Sequence, residues 1–398
     1  MRHTFLAGLV LFILICGFSF AQESAYREGY LLVRFSETGT TPEANMARQM
    51  VVQAAGGGTI EKMYPMVPGL GLVKLSAGDD VAAARSRFQA AIGVRYADPD
   101  YMLYPAYVPN DPLFEELWGM QNTGQTGGTP GADISAVPAW DLNTGSRDII
   151  VAVTDTGIDY THPDLAPNMW VNKAELYGIA GVDDDGNGYV DDIYGYDFYW
   201  DVSDPMDDHY HGTHVAGTIG AVGNNAVGVA GVCWQVQLMA CKVFWEGGGI
   251  IQGALSGAIE GIQYAVLNGA HIINASWGFQ NYLMPEQVNS LRDTLEAAKD
   301  AGVLFVMAAG NESSNNDIVF GSPQSFRLPN VISVMATDHN DQRALFSNWG
   351  KVTVDLAAPG QNILSTFPNE GYGSISGTSM ASPYVAGAAA LVLSENPH

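Results

Sequence analysis

The sequence predicts an α/β protein: a large domain on a mostly parallel, buried sheet, preceded by a small βαββαβ module. Two observations carry this. After Trp140, short and nearly uninterrupted apolar runs at 149–153, 237–244, 271–275, 303–308 and 331–336 alternate with helical stretches at 211–221, 251–267 and 285–299. Strands that are apolar throughout need cover on both faces, and parallel βαβ connections supply it. Ahead of them, strand patterns at 30–35, 59–64, 69–75 and 94–103 interleave with helical patterns at 42–54 and 80–91, the order of a split-βαβ, ferredoxin-like unit. Between the two regions, residues 108–138 are rich in Gly, Pro, Asn and Thr and read as a surface-wrapping boundary.

At 398 residues, 47% apolar and 15% charged, the chain has material for two or three globular domains. Its formal net charge is −25, from 42 acidic and 17 basic residues. That excludes nucleic acid as a partner, since binding phosphates needs clustered Lys and Arg. It suits a protein that stays monomeric or one that holds divalent cations. Arg2 and His3 precede an apolar run at 5–15, and Ser19 and Ala21 stand at positions −3 and −1 of a cut before Gln22. Residues 1–21 therefore read as a signal peptide, which implies a secreted protein, extracellular or periplasmic. The run falls short of the roughly 20 residues of a spanning helix, so no membrane partner is expected after cleavage. Past it only Cys233 and Cys241 remain, too few for a disulfide framework.

In a parallel sheet, function gathers at the carboxyl ends of the strands, which here carry Asp155, Ser276 and Asn311. Asp155 opens the segment Asp155-Thr156-Gly157-Ile158-Asp159, and a buried carboxylate there needs a partner for its charge. His211-Gly212-Thr213-His214-Val215-Ala216-Gly217 opens a helix of small residues. Ser379 sits in Gly377-Thr378-Ser379-Met380-Ala381-Ser382-Pro383, a turn leading into an apolar helix expected to be buried all round, with Pro383 in its first turn. Singly, these residues read as a turn aspartate, a packed ring and a helix cap. Together they meet a chemical need. A serine hydroxyl needs a neighbouring base, histidine serves best near neutral pH, and the imidazole needs a carboxylate to orient it. The oxyanion then needs donors, which the Ser379 N–H and the Asn311 amide, in Ala308-Ala309-Gly310-Asn311-Glu312, can supply.

These four segments, the first continued by His162-Pro163-Asp164-Leu165, resemble the subtilisin family of serine proteases, the subtilases, from about Pro109 to the end of the chain. The resemblance implies a subtilisin-like three-layer fold and a secreted serine endopeptidase acting on polypeptides through an acyl-enzyme. It implies that Ser379 is the nucleophile, His211 the general base, Asp155 its orienting carboxylate and Asn311 an oxyanion donor, with His214 structural. Ser276, Trp277, Gly278 and Gly310 would bind the substrate as an added strand. Residues 22–107 would be a propeptide that aids folding and acts as an intramolecular inhibitor, in a zymogen that cuts itself near Tyr107-Val108. The catalytic domain would be 108–398, with its C-terminal part missing, since only 19 residues follow Ser379. Specificity would be broad with a preference for large apolar residues, or for basic ones through Glu312.

Structural calcium is the expected cofactor, with no catalytic metal. Asp183, Asp185, Asn187 and Asp191 take positions one, three, five and nine of a calcium-loop pattern, although Tyr194 stands where an EF-hand has its glutamate. The family resemblance implies a second site at Asp164 and Asn225 with the carbonyls of Gly223, Val227 and Val229, joined by Asp111. Asp197, Asp201 and Asp204 form a third acidic cluster. The rival reading is a zinc hydrolase with His209, His211 and His214 as ligands, which leaves Ser379 and Asn311 without a role.

Overall fold

The computed structural model describes residues 26–102, 108–248, 250–279, 285–319, 321 and 323–396. The expected signal peptide, and Tyr104 and Tyr107 of the expected cleavage region, lie outside the described residues. The chain divides into two compact units, Met1–Pro105 and Ala106–His398.

In the first unit the order is β1 (Tyr26–Phe35), α1 (Pro42–Ala54), β2 (Thr59–Met63), β3 (Leu70–Lys74), α2 (Val81–Ala90) and β4 (Val94–Tyr101). The strands form one antiparallel sheet in the order β2-β3-β1-β4. Both helices start where the sequence supplies a cap: Thr41 accepts from the Ala44 N–H, with Pro42 in the first turn, and Asp80 accepts from the Ala83 N–H. Leu31, Val33 and Phe35 alternate along β1 and meet Val52 and Phe88 of the helices in a core of their own.

The second unit continues with α3 (Ala136–Trp140), β5 (Gly145–Asp155), α4 (Lys173–Leu176), β6 (Gly195–Asp197), α5 (His211–Gly220), β7 (Gln235–Lys242), β8 (Trp245–Gly247), β9 (Ile250–Gln252) and α6 (Leu255–Leu267). Then come β10 (Ile272–Ala275), α7 (Asn289–Asp300), β11 (Leu304–Ala308), β12 (Val331–Thr337), β13 (Leu356–Pro359), β14 (Ile363–Phe367), β15 (Gly371–Ile375) and α8 (Thr378–Glu395). Seven strands form a parallel sheet in the order β13-β12-β11-β10-β5-β7-β6.

Period-two alternation decides which helix covers which face. Val151 and Val153 of β5 pack with Val215 and Ile219 of α5 and with Met380 and Tyr384 of α8. Ala152, between them, joins the opposite cluster with Ile262 of α6 and Leu291 and Leu295 of α7. The result is helix, sheet, helix: the expected α/β architecture with a buried parallel sheet.

Three local expectations change. The helix expected from residue 251 begins at Leu255, because β-branched Ile250 and Ile251 pair as β9 with β8 in a hairpin. Pro383 lies in the second turn of α8 rather than the first, because the helix already starts at Thr378. Finally, α8 is buried from Thr378 to Tyr384 and at Ala386 and Gly387, but Ala388 is exposed and Val392 is 64% exposed.

Candidate active site

Parallel pairing brings the ends of β5, β10 and β11 to one edge. Thr154 stands opposite Ala275, and Ala275 opposite Met307, so Asp155 and Ser276 follow at the level of Ala308, with Asn311 in the loop just beyond. Helix α5 presents His211 as its first residue and α8 presents Ser379 as its second. Their approach is close. A Cβ on Gly212 would lie 2.1 Å from the Gly157 carbonyl oxygen, so only glycine lets α5 begin against the Asp155 loop.

Asp155 is 1% exposed, and its Oδ1 accepts a hydrogen bond from His211 Nδ1 at 2.7 Å and from the Thr156 N–H at 2.8 Å. That fixes the imidazole with Nδ1 protonated, leaving Nε2 as the basic atom. Burial works against a charge on His211, but the charge and hydrogen bond of Asp155, with the charge of Asp207, outweigh it and raise the pKa above its ordinary 6.5. Asp207 also builds the site. Its carboxylate accepts from the hydroxyls of Thr156 and Thr213 and from the N–H groups of Thr213 and His209, tying the Asp155 loop to the start of α5.

The other two histidines do different work. His214 is fully buried and donates through Nε2 to the Ile363 carbonyl at 2.8 Å. Burial pushes its pKa down to about 4, so the ring is neutral. His209 stacks on Tyr210, with centroids 3.8 Å apart. The three rings do not converge: among the described residues, the one group of three metal-competent side chains is Glu175, Asp183 and Asp185. The zinc reading therefore lacks a ligand set.

Ser379 is 9% exposed, and its Oγ donates to the Ser276 carbonyl at 3.0 Å. Among the described residues no hydrogen bond joins this hydroxyl to His211. Asn311 Oδ1 accepts from the N–H of Thr378 at 2.8 Å and from its hydroxyl at 3.0 Å. The clamp fixes which end of the carboxamide is the donor, turning Nδ2 away from Thr378. Ser276, Trp277, Gly278, Gly310 and Asn311 line one cleft with Ser379. Phe279 and Gln324 line it too; neither carried a sequence signal, as each reaches the cleft only through the fold. Glu312 stands at this cleft with its Oε2 accepting from Asn348 Nδ2 at 2.7 Å.

The acidic loop is arranged differently from its sequence pattern. Carboxylate oxygens of Asp183 and Asp185 gather with Glu175, which lies outside the pattern on α4 and was not foreseen. Asp191 turns away, its carboxylate accepting from the Gly181 N–H. Asn187 spends its Nδ2 on Asp185 and Asp192 and its Oδ1 on the Tyr189 N–H. At the second predicted site, fully buried Asp164 accepts from Asn225 Nδ2 at 2.9 Å, from the Val229 N–H and from the Tyr372 hydroxyl. Asp111 accepts from the N–H groups of Asn224 and Asn225, so it joins the same loop, which also carries Gly223 and Val227. Asp197, Asp201 and Asp204 do not assemble, each being taken up by its own tyrosine hydroxyl or backbone partners.

A family model described as the subtilase family, Peptidase_S8, matches residues 146–398. A thermophilic serine proteinase of Bacillus sp. (strain AK1) is 35% identical over 380 residues, covering 94% of this chain and 80% of that protein. The chain belongs to the subtilase family. Two further relatives are similar over a little under two thirds of this chain. Subtilisin-like protease 1 of Plasmodium vivax is 41% identical over 265 residues, 62% of this chain. The present chain spans only 41% of that protein's length. Subtilisin BL of Lederbergia lenta is 40% identical over 254 residues, 64% of this chain and 79% of its own.

Proposed function

We propose that this subtilase is a secreted serine endopeptidase that hydrolyses peptide bonds through an acyl-enzyme. The observation that carries the reading is the 2.7 Å Asp155–His211 hydrogen bond, in a pocket that shares Ser276 with the cleft of Ser379, a buried serine at a helix start. An extended polypeptide lies along Ser276–Gly278, pairing by backbone hydrogen bonds. His211 Nε2 takes the proton from Ser379 Oγ as the oxygen attacks the scissile carbonyl carbon. The oxyanion is held by Asn311 Nδ2 and the Ser379 N–H, an amide without an intrahelical acceptor at the start of α8. His211 hands the proton to the departing amine, and water then repeats the sequence on the acyl-enzyme.

The first unit is read as the propeptide, 22–107, which folds with the enzyme, occupies it and is cut off by it near residue 107. Its separate core and the similarity of the Bacillus proteinase over 94% of this chain support a module made with the enzyme. Secretion rests on the leader pattern at 1–21, and among the described residues no helix is long and apolar enough to cross a membrane. Monomeric operation is in keeping with the −25 net charge.

Calcium is read as a structural ion. Glu175, Asp183 and Asp185 place carboxylate oxygens within 4.8 Å of one another, and no ion pair among the described residues reaches them. Hard oxygen donors crowded in this way fit calcium, which would offset their mutual repulsion. Asp164, Asn225 and Asp111 would serve at the second site. Neither touches the reacting groups.

Digestion of casein by the secreted protein, with calcium present, tests the reading, and N-terminal sequencing of the product tests the zymogen. Ser379→Ala is expected to abolish digestion and leave the protein uncut, whereas the unsubstituted protein starts between Pro105 and Pro112. A Ser379→Ala variant that digests equally well refutes the assignment.

A further inference from the structure

We propose that Ser276, besides lining the cleft, positions the nucleophile by replacing the helix hydrogen bond that Pro383 removes. The inference rests on reading Ser379 as the nucleophile. In an α-helix the carbonyl of residue 379 accepts from the N–H of residue 383. Proline has no N–H, and its ring presses on that same carbonyl. Pro383 lies inside α8, so the nucleophile's own carbonyl is the one set free, in a residue only 9% exposed. A buried acceptor left without a donor is destabilising.

The missing donor comes from the neighbouring strand end. Ser276 Oγ donates to the Ser379 carbonyl at 3.0 Å. A carbonyl oxygen only accepts, which fixes this direction. A hydroxyl has one proton and two acceptor positions. Asn274 Nδ2 donates to Ser276 Oγ at 3.0 Å, and Ser382 Oγ lies 2.9 Å from it. With its one proton on the Ser379 carbonyl, Ser276 Oγ accepts from Asn274, and Ser382 is then the donor of its pair. Asn274 and Ser382 are fully buried and Ser276 is 5% exposed, which keeps the group away from bulk water. The Ser276 carbonyl meanwhile accepts from Ser379 Oγ at 3.0 Å. One residue thus grips the nucleophile by main chain and side chain at once. The main-chain grip sets the Cα from which Oγ swings toward His211. Through its hydroxyl Ser276 is therefore a positioning residue, since that group meets the nucleophile's carbonyl and not the reacting Oγ.

A double-mutant cycle of Ser276→Ala and Pro383→Ala tests this, because Pro383→Ala returns an N–H to residue 383. The readouts are the second-order rate constant of labelling by a fluorophosphonate, kcat and KM on a chromogenic peptide, and Tm. Beside Pro383, Ser276→Ala is expected to slow labelling on the order of 100-fold, with kcat falling and KM nearly unchanged. Beside Ala at 383, the same change is expected to cost less than about threefold. Equal losses in both backgrounds overturn the inference, as does an absence of effect beside Pro383. Should Ser276→Ala fail to fold, recovery of folded, labelled protein in the double variant supports the inference, and no recovery overturns it. An unsubstituted protein that takes no label removes the nucleophile reading itself, and this inference with it.

Discussion

His211 is pulled two ways, and the balance sets the pH dependence. Burial alone would lower its pKa, yet Asp155 and Asp207 raise it above 6.5. On the proposed mechanism neutral Nε2 accepts the Ser379 proton, so kcat/KM is expected to rise with pH through that raised value and to fall away below it. The stability contribution runs the other way. A pKa raised by folding stabilises fully below the unfolded value and loses that stabilisation as pH climbs through the folded one. His214, pushed down to about 4, stays neutral across this window and adds nothing to the limb. Asp155→Asn is expected to cut kcat on the order of 10⁴-fold by releasing the tautomer that points Nε2 at the serine. A pH–rate profile over about pH 5 to 9 checks the sign, and a flat profile contradicts it. At this scale much was legible in the sequence. Asp155, His211 and Ser379 answer a chemical requirement that restricts residue type, and short segments around each reveal its setting. Thr378, Asn274 and Ser382 were not legible as site residues. Thr378 and Ser382 act through hydrogen bonds to Asn311 and Ser276, distant in sequence, and Asn274 acts through Ser276, whose contact with α8 arises only in the fold.

The acidic loop shows how an element can satisfy a pattern and still be built otherwise. The spacing of Asp183, Asp185 and Asn187 was legible, but Asp191, at the ninth position, has φ 54° and turns its carboxylate to Gly181. Glu175 takes up the loop instead, its two oxygens accepting from the N–H groups of Asp184, Asp185 and Asp191. No local pattern announces that role, because it depends on α4 folding back over the loop. Chelation is accordingly expected to lower Tm by several degrees, with calcium restoring it, since saturating an ion site about 100-fold above its Kd adds about 2.7 kcal/mol. Glu175→Gln is expected to weaken that calcium response while leaving fluorophosphonate labelling at 25 °C unchanged, as the loop touches none of the reacting groups. A Tm insensitive to both chelator and calcium would remove the ion from the account. The hairpin of β8 and β9 makes the complementary point. Its apolar residues continued a helical period in sequence, and only pairing with Trp245–Gly247 made them a strand.

At the scale of the molecule, the parallel sheet was readable because its strands are apolar on both faces and regularly spaced. Short strands at its edges and beyond it were not: β6 has three residues, and β15 reads Gly371-Tyr372-Gly373-Ser374-Ile375, with no apolar run to mark it. What the sheet accomplishes is convergence. It places the ends of β5, β10 and β11 side by side, and α5 and α8 then bring a base and a hydroxyl to the same edge from far-separated parts of the chain. If that convergence makes Ser379 the nucleophile, a fluorophosphonate must find it. Peptide mapping by mass spectrometry after labelling is expected to show a single phosphonyl adduct, on Ser379, that disappears in Asp155→Asn at short labelling times. An adduct on another residue, or none in calcium-loaded protein that digests casein, would contradict the catalytic assignment.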